Sequence, residues 1–407
     1  MTREITYSEE IKYDDGYLEV HFLEHDCKRG VTGSLLNIAI VQLKYHLKKE
    51  GSVLIIEDND AYAAKLTQIL DAVKRKADLI VFPEFSIPAN YLPAMKQYSD
   101  ENGIVIVAGS HYITDENISE HDDIFYTKFI DDDLRKNISP VIVPSSDKMH
   151  HTEKILPAKA ERELFNEEGM TNGSLNRIFK LNSLVTFGVM ICFDFLNDDL
   201  RKRITDACDV IIVPQTNPGT KRFYKTGYIE IDNPRGAGNK AYIMASGIFT
   251  FDGEKDMMGG DSGVILTLDK ESYRKRKDTI IETVKVDGNK VYEQFIQMAQ
   301  LNMKFNPARD TQMGQVPITY KLIHIFEANE MLESAEDDKK DDMNTQAFLE
   351  LLKTINSCDD RNGLKQLLMD NGELINRYSP LMYNHTRVLT NLKADEIKER
   401  CASIVLN

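Results

Sequence analysis

The chain has 407 residues, room for two domains or for one large domain with appendages. It is 42% apolar with a formal charge of −15, so it can bury a large core and repels phosphate backbones, which excludes nucleic acid as a general partner. No apolar run approaches the ~20 residues that span a bilayer, the polar start MTREITYSEE lacks a signal-peptide layout, and the five cysteines form no CxxC pair, so the expectation is a cytoplasmic chain without membrane contact, disulfide framework or thiolate zinc site.

Residues 1–33 alternate polar and apolar positions, as in YLEVHFLEH, and predict a strand pair or extended arm. NIAIVQL (37–43) reads as a buried first strand, and 60–76 has the three-and-four apolar spacing of a helix. DLIVFPEF (78–85) is a short strand ending at Pro83 and Glu84; 91–102 reads as a helix and IVIVAGSHY (104–112) as a strand. VIVP (141–144) leads into HHTEKILPAKAERELF, and VTFGVMICFDF (185–195) is expected as a strand containing Cys192. A short helix (197–207), the strand DVIIVPQT (209–216), and strands in AYIMASGIF (241–249) and GGDSGVILTLD (259–269) follow. DLIVFPEF and DVIIVPQT match each other, each an apolar run stopping at a proline, which hints at two related α/β halves. Alternating helices and continuous apolar strands imply an α/β fold whose sheets are covered by helices. The expected organisation is an N-terminal extension (1–33), a main domain (34–290), a helical connection (291–335) and a helical appendage (336–407). Within the last two, 291–303 and 319–333 are expected helices, EDDKKDD (336–342) a solvated linker, and 344–405 two or three helices.

Three reactive side chains stand at strand or loop ends: Glu84, Lys154 and Cys192. Cleaving an amide or nitrile needs a nucleophile, a base to take its proton, and a donor where oxyanion charge develops. Cysteine, glutamate and lysine supply one each, and the Phe193 backbone N–H is a candidate second donor.

These segments resemble the nitrilase superfamily of carbon–nitrogen hydrolases. The resemblance rests on FPE (82–84), HTEKILPAKAE (151–161), ICFD (191–194), RGAGNKAYIMASG (235–247) and GGDSGVI (259–265), in that order and covering about 35–285. It implies a four-layer α-β-β-α sandwich, homodimers or higher homo-oligomers, a small-molecule substrate, no metal or organic cofactor, and a thioester or thioimidate on Cys192 cleared by water. It makes Glu84 the base and Lys154 the oxyanion stabiliser, and it implies a second, supporting glutamate, Glu161 or alternatively Glu163. Histidine and threonine precede Lys154, no arginine closely follows Cys192, and Gly238 precedes Asn239; these departures bear on substrate class. Arg222, Tyr224, Lys225 and Arg235 are candidate readers of a substrate carboxylate.

Blander readings stand beside these. Cys192 alone would pass for a core cysteine, Glu84 for a helix cap, and Lys159 rivals Lys154. Cys208 is expected to pack, His150 and His151 to be exposed loop residues, and Gly259–Gly260 to be no phosphate loop. The expected activity is thiol hydrolysis of a non-peptide C–N bond, amidase- or carbamoylase-like; the alternatives are acyl transfer to an amine and a non-catalytic ligand- or partner-binding module.

Overall fold

The computed structural model describes residues 2–325, apart from 14–15, 26–34, 51–52, 57–59, 164–167, 182–184, 233–238, 252–257, 268–281, 286–291, 306–309, 311–312 and 314, together with scattered positions between 351 and 371. The chain divides into two compact units, Met1–Ile325 and Phe326–Asn407. The charged run 336–342 and nearly all of the expected helical appendage lie outside the described residues.

The first unit opens with a hairpin, β1 (Thr2–Tyr13) and β2 (Gly16–His25). Then come β3 (Leu35–Gln42), β4 (Lys44–Glu50), β5 (Val53–Ile56), α1 (Asp60–Val73), β6 (Leu79–Phe82) and α2 (Leu92–Asn102). The next stretch holds β7 (Val105–Ala108), β8 (His111–Tyr112), α3 (Ile118–Ile124), β9 (Asn137–Ile142) and β10 (His150–Glu153). Beyond it lie β11 (Leu175–Leu181), β12 (Val185–Val189), α4 (Asp198–Ala207), β13 (Val210–Gln215), α5 (Lys221–Asp232) and β14 (Lys240–Ser246). The last strands are β15 (Ile248–Phe251), β16 (Met258–Gly259), β17 (Gly263–Thr267), β18 (Glu282–Lys285), β19 (Phe295–Asn302) and β20 (Ile318–His324).

One eight-stranded sheet runs β1-β2-β11-β12-β13-β14-β17-β18. The other runs β10-β9-β7-β6-β3-β19-β20, with β8 paired to β9, and a small sheet runs β16-β15-β4-β5. This is a mixed α/β fold. Alternation along β3 divides its side chains between two cores, because successive residues of a strand point to opposite faces. Ile38 and Ile40 join Val189, Ile211 and Val213 of the first sheet, while Ala39 and Val41 join Leu66 and Ile69 of α1 and Leu92 and Met95 of α2. Each Val, Leu, Ile or Met side chain among them, fully buried, contributes about 1.5–3 kcal/mol.

The matched segments at 78–85 and 209–216 are built alike. Asp78 accepts the Asn37 N–H on Oδ2 at 2.8 Å, and Asp209 accepts the Thr186 N–H on Oδ2 at 2.9 Å. Each aspartate thereby fastens the start of β6 or β13 to the neighbouring parallel strand.

Three expectations fail. The helices expected over 291–303 and 319–333 contain strands, β19 and β20. β19 is buried on both faces, Ile296 and Met298 in one core and Ala299 and Leu301 in the other, so its sequence loses the period of two that marks a half-exposed strand. β19 pairs along the whole of β3, so strand-built structure continues past residue 290. His150 and His151 are buried on β10 and not exposed in a loop: Tyr126 stacks on His150 at 4.8 Å, and the ring of Phe129 lies 5.0 Å from that of His151. Among the described residues no helix is long and apolar enough to cross a membrane.

Candidate active site

Glu84 follows β6 directly. Pro83 offers no N–H to continue the ladder, and Phe85 turns the chain with a φ of 62°. Lys154 follows β10, whose last residue, Glu153, faces Ile138 of β9. Cys192 was expected inside a strand. β12 stops instead at Val189, and Cys192 opens a single 3-10 turn (Cys192–Leu196) with a left-handed φ of 47°. That conformation is costly for a residue with a Cβ, and such outliers concentrate at functional sites. Asn197 ends the turn and caps α4, its Oδ1 accepting the Asp199 and Leu200 N–H groups at 3.1 and 3.0 Å.

The three strand ends converge. Lys154 Nζ lies 2.7 Å from Glu84 Oε1 and 2.6 Å from Glu161 Oε2, with Lys154 and Glu84 each only 1% exposed. The Cys192 thiol, 2% exposed, lies close enough to Glu84 and Lys154 for their charges to act on it, and Asn217 Nδ2 reaches to 4.0 Å from Sγ. Asn137 on β9 donates from Nδ2 to Glu161 Oε1 (3.1 Å) and to Glu84 Oε1 (3.4 Å). Tyr112 donates its hydroxyl to Glu161 Oε1 at 2.9 Å, and the Ala158 N–H donates to Oε2 at 2.8 Å. The Thr216 N–H occupies Glu84 Oε2 at 2.9 Å. Thiol, carboxylate and ammonium thus share one buried centre, with a second carboxylate fixing the ammonium.

A family model described as "Carbon-nitrogen hydrolase" matches residues 37–250, more than half of the chain and all three of these positions. The chain belongs to the carbon–nitrogen hydrolase family. No curated protein matches it. Among solved structures it is similar to an amidase from Nesterenkonia sp. (12% identity, TM-score 0.43, 70% of this chain and 97% of that one). It is also similar to a CN-hydrolase superfamily protein from Xanthomonas campestris (12%, TM-score 0.40, 63% and 92%). A third similarity is to a glutamine-dependent NAD+ synthetase from Acinetobacter baumannii (15%, TM-score 0.41, 72% of this chain), of whose length the chain spans 48%.

In this carbon–nitrogen hydrolase family member the site's charges are set by burial and by one another. Burial pushes the Cys192 thiol well above its ordinary range; Glu84 adds to the shift and Lys154 opposes it, so the resting side chain is a neutral thiol. Burial also works against a charged Lys154, but Glu161 and Glu84 outweigh it and keep the ammonium well above its usual value. Glu84 is raised by burial, with Lys154 pulling the other way and Glu161 adding to the rise. A raised carboxyl is a better proton acceptor, as a general base requires.

Asp194 joins the cysteine turn to the lysine segment. Its Oδ2 accepts the Ile155 N–H at 3.0 Å and its Oδ1 the Leu156 N–H at 2.8 Å. Burial lifts its pKa to about 7 against those two donors. Because the folded value exceeds the unfolded one, this group's contribution to stability is largest at low pH and is lost as pH rises through about 7, even though the ionised form holds both amides best.

Tyr45 reaches the site from β4, its hydroxyl 2.7 Å from the Glu84 carbonyl oxygen. Gly247 makes room for it: a Cβ there would stand 1.8 Å from Tyr45 Oη. Gly247→Ala is therefore expected to destabilise the fold by about 1–3 kcal/mol, as overpacking does, read as a lower urea midpoint at unchanged slope. An unchanged midpoint would show that Tyr45 moves aside freely.

The expected carboxylate readers fare differently. Tyr224 is buried in the core, its hydroxyl donating to the Asp261 carbonyl at 2.9 Å, so it is not placed to read a substrate; its apolar ring follows the inward face of α5. Arg222 and Lys225 are exposed on α5, and Arg235 lies outside the described residues. Phe193 sits beside Cys192 in the 3-10 turn, Lys159 is exposed, and Cys208 is buried. Tyr45, Tyr112, Asn137, Thr216 and Asn217 carried no sequence signal of their own; Asp194 lay within ICFD without a role. Among the described residues, no three His, Cys, Asp or Glu side chains gather as a metal-ligand set.

Proposed function

We propose that this chain is a thiol hydrolase that cleaves a non-peptide C–N bond of a small amide-type substrate through a Cys192 thioester. The observation that supports this most is the ammonium of Lys154 held 2.7 Å from Glu84, both buried beside the Cys192 thiol. The sequence of steps follows from the groups present. Glu84 takes the thiol proton as sulfur attacks the carbonyl carbon. Lys154 Nζ, with the Phe193 N–H, stabilises the oxyanion, a role worth ~3–4 kcal/mol for one donor. Collapse breaks the C–N bond, and Glu84 returns the proton to the leaving amine. Water then attacks the thioester, giving its proton to Glu84, and collapse releases the carboxylic acid and restores the thiol. Glu161 holds Lys154 in place throughout. The reading includes a four-layer α-β-β-α stacking of the two large sheets and their helices, supported by the split of β3 side chains between two cores.

The test is ammonia release from a panel of small amides, N-carbamoyl amino acids and nitriles, with intact mass spectrometry on quenched samples. Ammonia, together with an acyl adduct located on Cys192, is the expected outcome and names the substrate class. Product amide formed only when an amine is added would move the reading to acyl transfer. A silent panel with no adduct would sink the enzymatic reading.

A further inference from the structure

Glu84 is held at both ends by one residue that the three-residue catalytic reading does not include. Thr216 donates its backbone N–H to the Glu84 carboxylate (Oε2, 2.9 Å) and its hydroxyl to the Glu84 backbone carbonyl (2.7 Å). The Tyr45 hydroxyl lies 2.7 Å from that carbonyl oxygen and 2.6 Å from Thr216 Oγ1. Three oxygens therefore meet within hydrogen-bond distance and share two hydroxyl protons. The peptide they hold needs such support, since it lies between Pro83 and Phe85, whose φ is 62°. Buried carbonyls without a ladder partner must find donors elsewhere. The next residue extends the turn to the nucleophile: Asn217 Oδ1 accepts the Gly219 N–H at 2.6 Å, which aims its amide nitrogen toward Sγ.

We propose that Thr216 is the positioning residue of the general base, its hydroxyl fixing the Glu84 main chain so that the carboxylate meets the Cys192 thiol. This rests on the hydrolase reading for the role of Glu84, while the geometry stands apart from it. Thr216 ends DVIIVPQT where Phe85 ends DLIVFPEF, so the end of one matched segment anchors the reactive residue of the other. Burial raises the Tyr45 hydroxyl well above its ordinary pKa, so it remains a donor across the working range.

The test compares the full-length wild type with Thr216→Ala, Thr216→Ser and Tyr45→Phe in two assays. One is kcat and KM for the best amide of the panel. The other is the pH profile of Cys192 carboxymethylation by iodoacetamide, followed by peptide mass spectrometry, which needs no turnover. Thr216→Ala is expected to lower kcat about 10- to 100-fold with little change in KM, because a misplaced base costs rate and not binding. The same variant should move the alkylation midpoint to lower pH, toward that of Glu84→Gln, as the thiol loses its contact with the carboxylate. Thr216→Ser should restore both. Tyr45→Phe should fall between, since the Thr216 hydroxyl still reaches the carbonyl. Wild-type kcat and alkylation profile in Thr216→Ala would overturn the proposal, as would a serine variant as impaired as the alanine one, which would assign the effect to the lost methyl. Should the alanine variant fold poorly, Thr216→Val, which keeps the volume, repeats the comparison. If wild type hydrolyses nothing in the panel, the hydrolase reading fails, and the alkylation series alone decides the role of Thr216.

Discussion

Glu84→Gln is expected to slow amide turnover by roughly 10²–10⁴-fold, the usual span for loss of a general base, and at the same time to make Cys192 easier to alkylate near neutral pH. The two effects have opposite signs for one reason. After burial, the charge of Glu84 is the largest influence holding the thiol proton on. The amide removes that charge and leaves Lys154 2.6 Å from Glu161 and near the sulfur, which favours thiolate. A nucleophile that is more ionised but hydrolyses less shows that proton transfer, and not thiolate supply, is what the site provides. The measurement is kcat/KM beside the iodoacetamide pH profile. Alkylation that slows along with turnover would mean that Glu84 already carries the thiol proton in the resting enzyme, so that the thiolate exists before substrate arrives.

Lys154→Met carries the second large effect, on stability as well as rate. The ammonium is the cation between two buried carboxylates, at 2.7 Å from Glu84 and 2.6 Å from Glu161. Removing one member of a buried ionic group leaves uncompensated charge and costs about 3–5 kcal/mol. The pH dependence gives the mechanism away. Without the lysine, Glu84 loses the cation that pulls its raised pKa down, so its folded value climbs still further above the unfolded one of about 4.3. Stability from the Glu84 proton is present in full below the unfolded value and is lost as pH climbs through the raised folded one. Urea midpoints of Lys154→Met should therefore lie closest to wild type near pH 4–5 and fall progressively behind toward pH 8. A deficit that does not vary with pH would point to lost packing of the lysine stem in place of unpaired carboxylates. Turnover should fall in the same variant by the ~10²–10³-fold that loss of one oxyanion donor costs.

The reactive trio was legible because each residue sits in a local signature: FPE after an apolar run, a lysine before an aliphatic stretch, and ICFD. A second glutamate was expected only from the family resemblance, as Glu161 or alternatively Glu163, and it is Glu161 whose carboxylate lies 2.6 Å from the Lys154 ammonium. What surrounds them was not legible, because its partners are set by topology. Thr216 meets Glu84 across 132 positions of sequence, and Asn137 meets it across 53. No local pattern distinguishes these residues from any other threonine or asparagine beside a strand. For Tyr224 the sequence showed a polar aromatic in an insertion-like segment, and what it could not show is that the ring is buried in the core with the hydroxyl on the Asp261 carbonyl. The strand character of β19 was hidden as well. Its sequence FIQMAQLN breaks the apolar residues with Gln297 and Gln300, three apart, so the period of two is lost and the spacing also suits a helix.

The placement of β19 bears on which strand edge the second sheet leaves open to unspecific pairing. β3 lies inside its sheet only because β19 pairs with it along its full length, through contacts that close a loop of some 250 residues. Ended at residue 290, the chain would present β3 as an open edge with its row of N–H and C=O groups unpaired, flanked by apolar side chains on both faces, the arrangement that templates aggregation. Among the described residues β20 is the edge in its place, and it suits the position: Thr319, Tyr320 and Lys321 are solvent-exposed, and a charged, polar rim is a poor surface for another strand to add to.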